Sequence, residues 1–151
     1  MEAYRIRPLR AAEYPLLREF LYLAIFVPEG EAPPPREILE KPELRVYLED
    51  FGRGAADRCL AAEAEGRVVG AVWARIMDDY GHLDDDTPSL AIALRPEYRG
   101  RGIGTALMRA MLEELRARGF ARASLSTYSA FLAWPSGMTL LRSSLVSTVM
   151  L

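Results

Sequence analysis

Three glycines alternate at Gly100, Gly102 and Gly104, with Arg99 and Arg101 before and between them, in the run Leu94-Arg-Pro-Glu-Tyr-Arg-Gly-Arg-Gly-Ile-Gly-Thr. Glycine lets the backbone turn sharply and brings successive N–H groups close to a ligand. N–H groups left unpaired at a helix start make an anion site, strengthened by the helix dipole. The arginines add positive charge and forked donors suited to phosphate. A pyrophosphate-bearing cofactor fits this turn. A Walker A loop does not, because no Lys followed by Ser or Thr closes it, and Gly-Arg-Gly-Ile-Gly lacks the spacing of a dinucleotide fingerprint. The plainer reading is a solvated basic turn whose glycines serve tight packing.

Other reactive side chains are sparse. His82 is the only imidazole in the chain and titrates near neutrality, although a lone histidine in an acidic loop also reads as a solvated bystander. Cys59 is the only cysteine, so no intrachain disulfide forms; it reads as a small buried hydrophobe. With one cysteine, one histidine and no CxxC or HExxH pattern, no metal site is expected. Trp73, Met108 and Met111 read as core.

The elements that must position the glycine turn follow from periodicity. An apolar strand, Ser89 to Leu94, precedes it. A helix from Thr105 to Arg118 follows, with Leu107, Met108, Met111, Leu112 and Leu115 on one face and Gly119 as its stop. Residues 121–126 read as another strand, giving a strand–helix–strand crossover. Upstream, Tyr4 to Arg7 alternates as a strand, and residues 12–25 carry Leu16, Leu17, Phe20, Leu21 and Ala24 at helical spacing. A proline-rich connection follows. A second helical pattern holds Leu44, Tyr47, Leu48 and Phe51, and a hairpin turns around Glu65-Gly66-Arg67. Asp78 to Pro88 is an acidic loop.

The whole is expected to form a single domain over 1–151, since 151 residues at 50% apolar and 26% charged have ordinary globular composition. Nineteen basic residues against 21 acidic ones, a net charge of -2, argue against a nucleic-acid module. No signal-peptide pattern or membrane-length apolar run is visible, so a cytoplasmic protein without a membrane role is the expectation. From Ser126 to Leu151 the only charged residue is Arg142. A closing strand from about Leu145 to Met150 is expected there, with a short helix within 132–141 broken at Pro135.

Arg99-x-x-Gly102-x-Gly104, between a strand and a long helix, resembles the acetyl-CoA signature [RQ]-x-x-G-x-[GA] of the GNAT (GCN5-related N-acetyltransferase) superfamily. The resemblance runs from Arg5 to about Ser126, and the stretches around Phe26 to Gly30 and Tyr80 to Ile92 are similar to a bacterial subgroup of undefined substrate. It implies an α/β fold: a mixed, mostly antiparallel central sheet with a parallel, splayed strand pair and helices on both faces. The end of the strand Ala91 to Leu94 would part from its parallel neighbour near Ala123 to Ser126. Main-chain groups of Ile92, Ala93 and Leu94 would meet the pantetheine arm. The run Arg99, Gly100, Arg101, Gly102, Ile103, Gly104 and Thr105 would hold the pyrophosphate.

The activity implied is direct acetyl transfer from acetyl-CoA to a primary amine, on a small molecule or a peptide. Such a reaction needs alignment, removal of the amine's proton and stabilisation of charge on the thioester oxygen. A main-chain N–H near Ile92 to Leu94 would serve the oxygen. His82 is a candidate base. Asp84, Asp85 and Asp86 would attract a cationic amine or pass its proton through water, or form a solvated loop; Glu29 and Glu31, between the helices, would line the acceptor side. Many members use a tyrosine as general acid, and Tyr128 is the nearest here, although it falls earlier than the family pattern and lacks the usual asparagine. Two alternatives stay open, a non-catalytic acyl-CoA-binding domain and, against the glycine spacing, a nucleotide-dependent enzyme. A homodimer through an exposed C-terminal strand is a further expectation.

Overall fold

The computed structural model describes residues 3–25, 30, 32–76, 86–126, 139–143 and 146–150. Strand β1 (Tyr4–Pro8) leads through a single 3-10 turn to helix α1 (Leu16–Ala24), with Pro15 at its N-cap. Proline fits there because the N–H it lacks has no helical partner anyway. A short helix α2 (Pro42–Arg45) precedes the hairpin β2 (Arg58–Ala64) and β3 (Arg67–Arg75). Then come β4 (Ser89–Leu94), helix α3 (Ile103–Ala117), β5 (Arg122–Ser126), β6 (Thr139–Ser143) and β7 (Val146–Met150).

The strands form one seven-stranded sheet in the order β1-β2-β3-β4-β5-β7-β6. Every neighbouring pair is antiparallel except β4 and β5, joined by the α3 crossover. The expected mixed sheet with one parallel pair is present. The β2–β3 turn is tight, with Glu65 and Gly66 at φ 52° and 78°, the two positive angles that a two-residue hairpin requires.

β4 lies centrally and is buried on both faces. Leu90, Ile92 and Leu94 pack with Leu107, Met108, Met111 and Leu115 of α3, while Ala91 and Ala93 pack with Leu17, Phe20 and Leu21 of α1. Helices therefore cover opposite faces, with the larger side chains of β4 turned to α3. Each α3 core side chain contributes about 1.5–3 kcal/mol by burial. The helix ends in a Schellman motif: Gly119, at φ 92°, donates to the Arg116 carbonyl, and Phe120 donates to the Leu115 carbonyl at 3.1 Å.

A bulge in β3 shifts the register of the β2–β3 pair. Ala62 faces Gly70 but Glu63 faces Val68, leaving Val69 as the extra residue. Val69 and Gly70 consequently lie towards the α3 face, and a Cβ on Gly70 would run into the Leu94 side chain.

Three expectations are corrected. The helical pattern through Phe51 gives only the four residues of α2, followed by turns. Val46 and Glu49 carbonyls accept instead from Arg75 Nη1 at 3.1 and 2.8 Å, and Asp50 takes φ 53°; a buried guanidinium thus overrides the helical periodicity. Residues 139–141, expected at the end of a short helix, lie in β6. The closing strand β7 is present but sits between β5 and β6, so both its edges are covered within the chain and it is not the exposed strand a dimer through it requires.

Candidate active site

The turn before α3 has the geometry of an anion cradle. Gly100 and Gly102 stand at φ 75° and 84°, while Arg101 between them is not in the positive region. Alternation of this kind points successive N–H groups into one concavity. Gly102 is the helix N-cap, makes no side-chain capping bond, and α3 carries no acidic residue in its first turn. A Cβ built on Gly100 or Gly102 meets nothing within 4 Å. Gly100, Arg101 and Gly102 are exposed, and among the described residues the first turn of α3 carries no carboxylate. Residues of this kind fit a pyrophosphate, which needs main-chain donors and positive charge.

Tyr98 is the pedestal. It is buried, donates its hydroxyl to Glu65 Oε2 at 2.9 Å, and lies under the guanidinium carbons of Arg101 and Arg67, at 5.4 and 5.9 Å from its ring centre. The hydrogen bond to Glu65, reinforced by burial, holds the Tyr98 hydroxyl above its ordinary pKa. Arg67 also pairs with Glu97 at 2.9 Å. Arg101 is therefore steered by cation–π contact on the exposed rim of the turn. Sequence reasoning passed over Tyr98; the signal available was an aromatic residue between the strand end and the glycines.

Strands β4 and β5 form the parallel pair that the family resemblance implies, with β5 described as far as Ser126. Among the described residues their ladder runs through Ser89↔Ser124 and Leu90↔Leu125 only. The closed end is tied by the buried Ser89 and Ser124 hydroxyls, 3.2 Å apart, and by Arg122 Nε donating to Thr87 Oγ1 at 2.9 Å. On the other side, Arg95 N–H donates to the Val69 carbonyl, and the register continues through Ala93↔Ala71 and Ala91↔Trp73. Main-chain groups alternate direction along an antiparallel strand. Those of Ala91, Ala93 and Arg95 therefore face β3, and those of Ile92 and Leu94 face the gap beside β5. Ala93 contributes a small side chain against α1 rather than gap-facing donors.

Arg99 is placed differently from its expected phosphate role. Its Nε donates to the Leu94 carbonyl and its Nη2 to the Leu23 carbonyl, both at 3.2 Å. Ile103 and Gly104 are buried in the first turn of α3, and Thr105 is half-buried beside them. The structure therefore brings Ile92, Leu94 and residues 99–105 to one end of the sheet. His82 and Tyr128 lie outside the described residues, as do Asp84, Asp85, Glu29 and Glu31. Trp73 and Cys59 are buried in the α1-side core, where burial drives the Cys59 thiol far above its ordinary pKa and leaves it unreactive. Among the described residues no cluster of His, Cys, Asp and Glu has the makings of a metal site, and no helix is long and apolar enough to cross a membrane.

A parallel strand pair joined by a crossover helix that starts at a glycine turn is the arrangement the family resemblance implies. The model of the Acetyltransferase (GNAT) family matches residues 21–133, and the chain belongs to that family. It is 31% identical over 88 residues to human N-acetyltransferase 8B, an alignment covering 56% of this chain and 39% of that protein, so the chain spans about two fifths of this relative's length. Among solved structures it resembles a GNAT family acetyltransferase from Brucella melitensis in complex with acetyl-CoA, with TM-score 0.60, 22% identity and coverage of 99% and 89% of the two chains. It also resembles the PaiA N-acetyltransferase of Thermoplasma acidophilum in complex with coenzyme A, with TM-score 0.64, 16% identity and 99% coverage of each chain. At these identities the structural likeness speaks for the fold.

Proposed function

We propose that this chain is a CoA-dependent N-acetyltransferase that moves an acetyl group from acetyl-CoA directly to a primary amine on a small molecule or peptide. The observation carrying this reading is the exposed glycine turn at the start of α3, set just beyond the end of β4. Acetyl-CoA, the cosubstrate of the family, supplies an activated thioester. The N–H groups of Gly100 to Thr105, with Arg101 beside them, hold its pyrophosphate. The gap-facing main chain of Ile92 and Leu94 holds the pantetheine arm, and an N–H of the Ile92 to Leu94 segment polarises the thioester oxygen. Ala93 keeps that segment flat against α1.

Proton handling is assigned from sequence. His82 is proposed as the base, Asp84 to Asp86 as the attraction for a cationic amine, and Tyr128 as the acid at the departing thiolate. A second reading, an acyl-CoA-binding domain without turnover, is favoured by the tail, where Arg142 is the only charge after Leu125. Free-thiol release from acetyl-CoA, followed with a panel of primary amines, separates the two. Release that depends on an amine and falls with His82→Ala or Tyr128→Phe supports catalysis; tight acetyl-CoA binding with no amine-dependent release supports the binding domain.

A further inference from the structure

Arg99 opens the glycine turn, yet two of its donors are turned away from the cradle. Nε bonds the Leu94 carbonyl at the end of β4, and Nη2 bonds the Leu23 carbonyl in the last turn of α1, each at 3.2 Å. The second bond joins residues 76 positions apart. The last turn of α1 contains no basic residue of its own, and the final carbonyls of a helix favour a nearby cation. Arg99 supplies that cation from elsewhere in the chain. The Leu94 carbonyl is one of the groups facing the gap beside β5, so the same guanidinium ties together three parts of the mouth: the strand end, the helix that backs it, and the turn that begins at Gly100. α1 packs directly on β4 through Leu17, Phe20 and Leu21, so a tie at its end fixes where its last turn stands relative to the cradle.

We infer that Arg99 is a positioning residue, a strut between α1 and β4 that sets the shape of the cofactor mouth, and not a ligand of the pyrophosphate. The inference rests on the acetyl-CoA reading for its consequence in binding, but its structural part does not. Arginine suits the task because its planar fork serves two carbonyls at once, whereas lysine offers one point charge. Phosphate contact then falls to the main-chain N–H groups and to Arg101.

The test compares wild type, Arg99→Lys and Arg99→Gln in calorimetric titrations with acetyl-CoA and with S-acetylpantetheine, which has no pyrophosphate. A strut predicts that both variants lose affinity by the same factor for both compounds, about three- to tenfold, with lysine failing to rescue. Loss confined to acetyl-CoA, restored by lysine, overturns the inference and makes Arg99 a phosphate ligand. Hydrogen exchange without ligand gives an independent readout. In both variants the Ile25 N–H, which donates to the Tyr22 carbonyl at the end of α1, should exchange several-fold faster while Gly119 N–H at the end of α3 is unchanged. Unchanged exchange at Ile25 in folded variants overturns the strut as well. A wild-type chain that binds neither compound sinks the acetyl-CoA reading, and the exchange result then decides the strut alone.

Discussion

Two glycine turns in this molecule solve the same backbone problem and end in opposite states. Before β2, Gly52 at φ 103° and Gly54 present N–H groups that both donate to Asp57 Oδ2, at 2.9 and 3.1 Å. Asp57 is buried and also accepts from Arg75 Nη2 at 3.3 Å. A Cβ on Gly52 or Gly54 would strike Tyr14 or the Asp57 carboxylate. Before α3, Gly100 and Gly102 have similar positive φ, open space where a Cβ would stand, and no side-chain cap. The first turn already holds its anion, one the chain supplies. The second has no acidic residue in the first turn of its helix, which suits the pyrophosphate proposed for it. Glycine content alone does not separate a structural turn from a binding turn; the presence or lack of an internal carboxylate does.

The comparison breaks first at Asp57. Asp57→Ala should remove the internal anion and leave the Arg75 guanidinium buried and unpaired, at a cost of about 3–5 kcal/mol. Thermal unfolding should fall by about 10 °C, a domain of this size losing about 2–4 °C per kcal/mol. An unchanged melting temperature would mean that the first turn does not depend on its carboxylate.

A smaller effect is expected at the open turn. Gly102→Ala places a Cβ at φ 84°, which costs about 1–2 kcal/mol for an L-residue. Space is not the obstacle there, so the variant should fold, melt about 2–8 °C lower, and bind acetyl-CoA about five- to tenfold more weakly as the N–H groups are re-aimed.

The smallest effect sharpens the same contrast with a carboxylate held by side chains rather than main chain. Arg7 grips Glu13 in a fork, Nη1 to Oε1 at 2.8 Å and Nη2 to Oε2 at 2.9 Å, and its Nε donates to Glu63 at 2.6 Å. The hydrogen bonds from Arg7, then from Arg10 N–H, hold the Glu13 carboxyl down at about 2 from an ordinary 4.5. A carboxyl depressed in the folded state stabilises fully above its unfolded value and loses that contribution as pH falls from about 4.5 towards 2. Glu13→Gln should therefore cost about 1 kcal/mol or less at pH 7, seen as a slightly lower melting temperature, with the gap to wild type closing near pH 2.

Much of the site was legible because its signals are local. Alternating glycines, a strand before them and an apolar stripe after them sit within thirty residues of each other, and no distant contact overrides them. Only the helix start was misplaced. α3 begins at Ile103 rather than Thr105, since Gly102 in the left-handed region serves as the cap. What sequence did not show depends on partners far along the chain. The helical spacing of Leu44, Tyr47, Leu48 and Phe51 is real, but carbonyls at Val46 and Glu49 are claimed by Arg75, 26 or more positions away. Arg99 reads as a phosphate donor from its spacing, whereas its bond to the Leu23 carbonyl, 76 positions away, is invisible in sequence. The order of the last strands was hidden for the same reason, because β7 pairs with β5 while β6, earlier in the chain, takes the outer edge.

The most direct test of the central claim is a calorimetric titration of the purified wild-type chain with acetyl-CoA, beside Gly102→Glu, which places a carboxylate in the open turn as Asp57 does in the closed one. The account predicts saturable binding by wild type and at least about a hundredfold loss in the variant, with both proteins folded. Wild-type binding left intact by Gly102→Glu would show that the cofactor does not use this turn, and no binding by folded wild type would contradict the acetyltransferase reading itself.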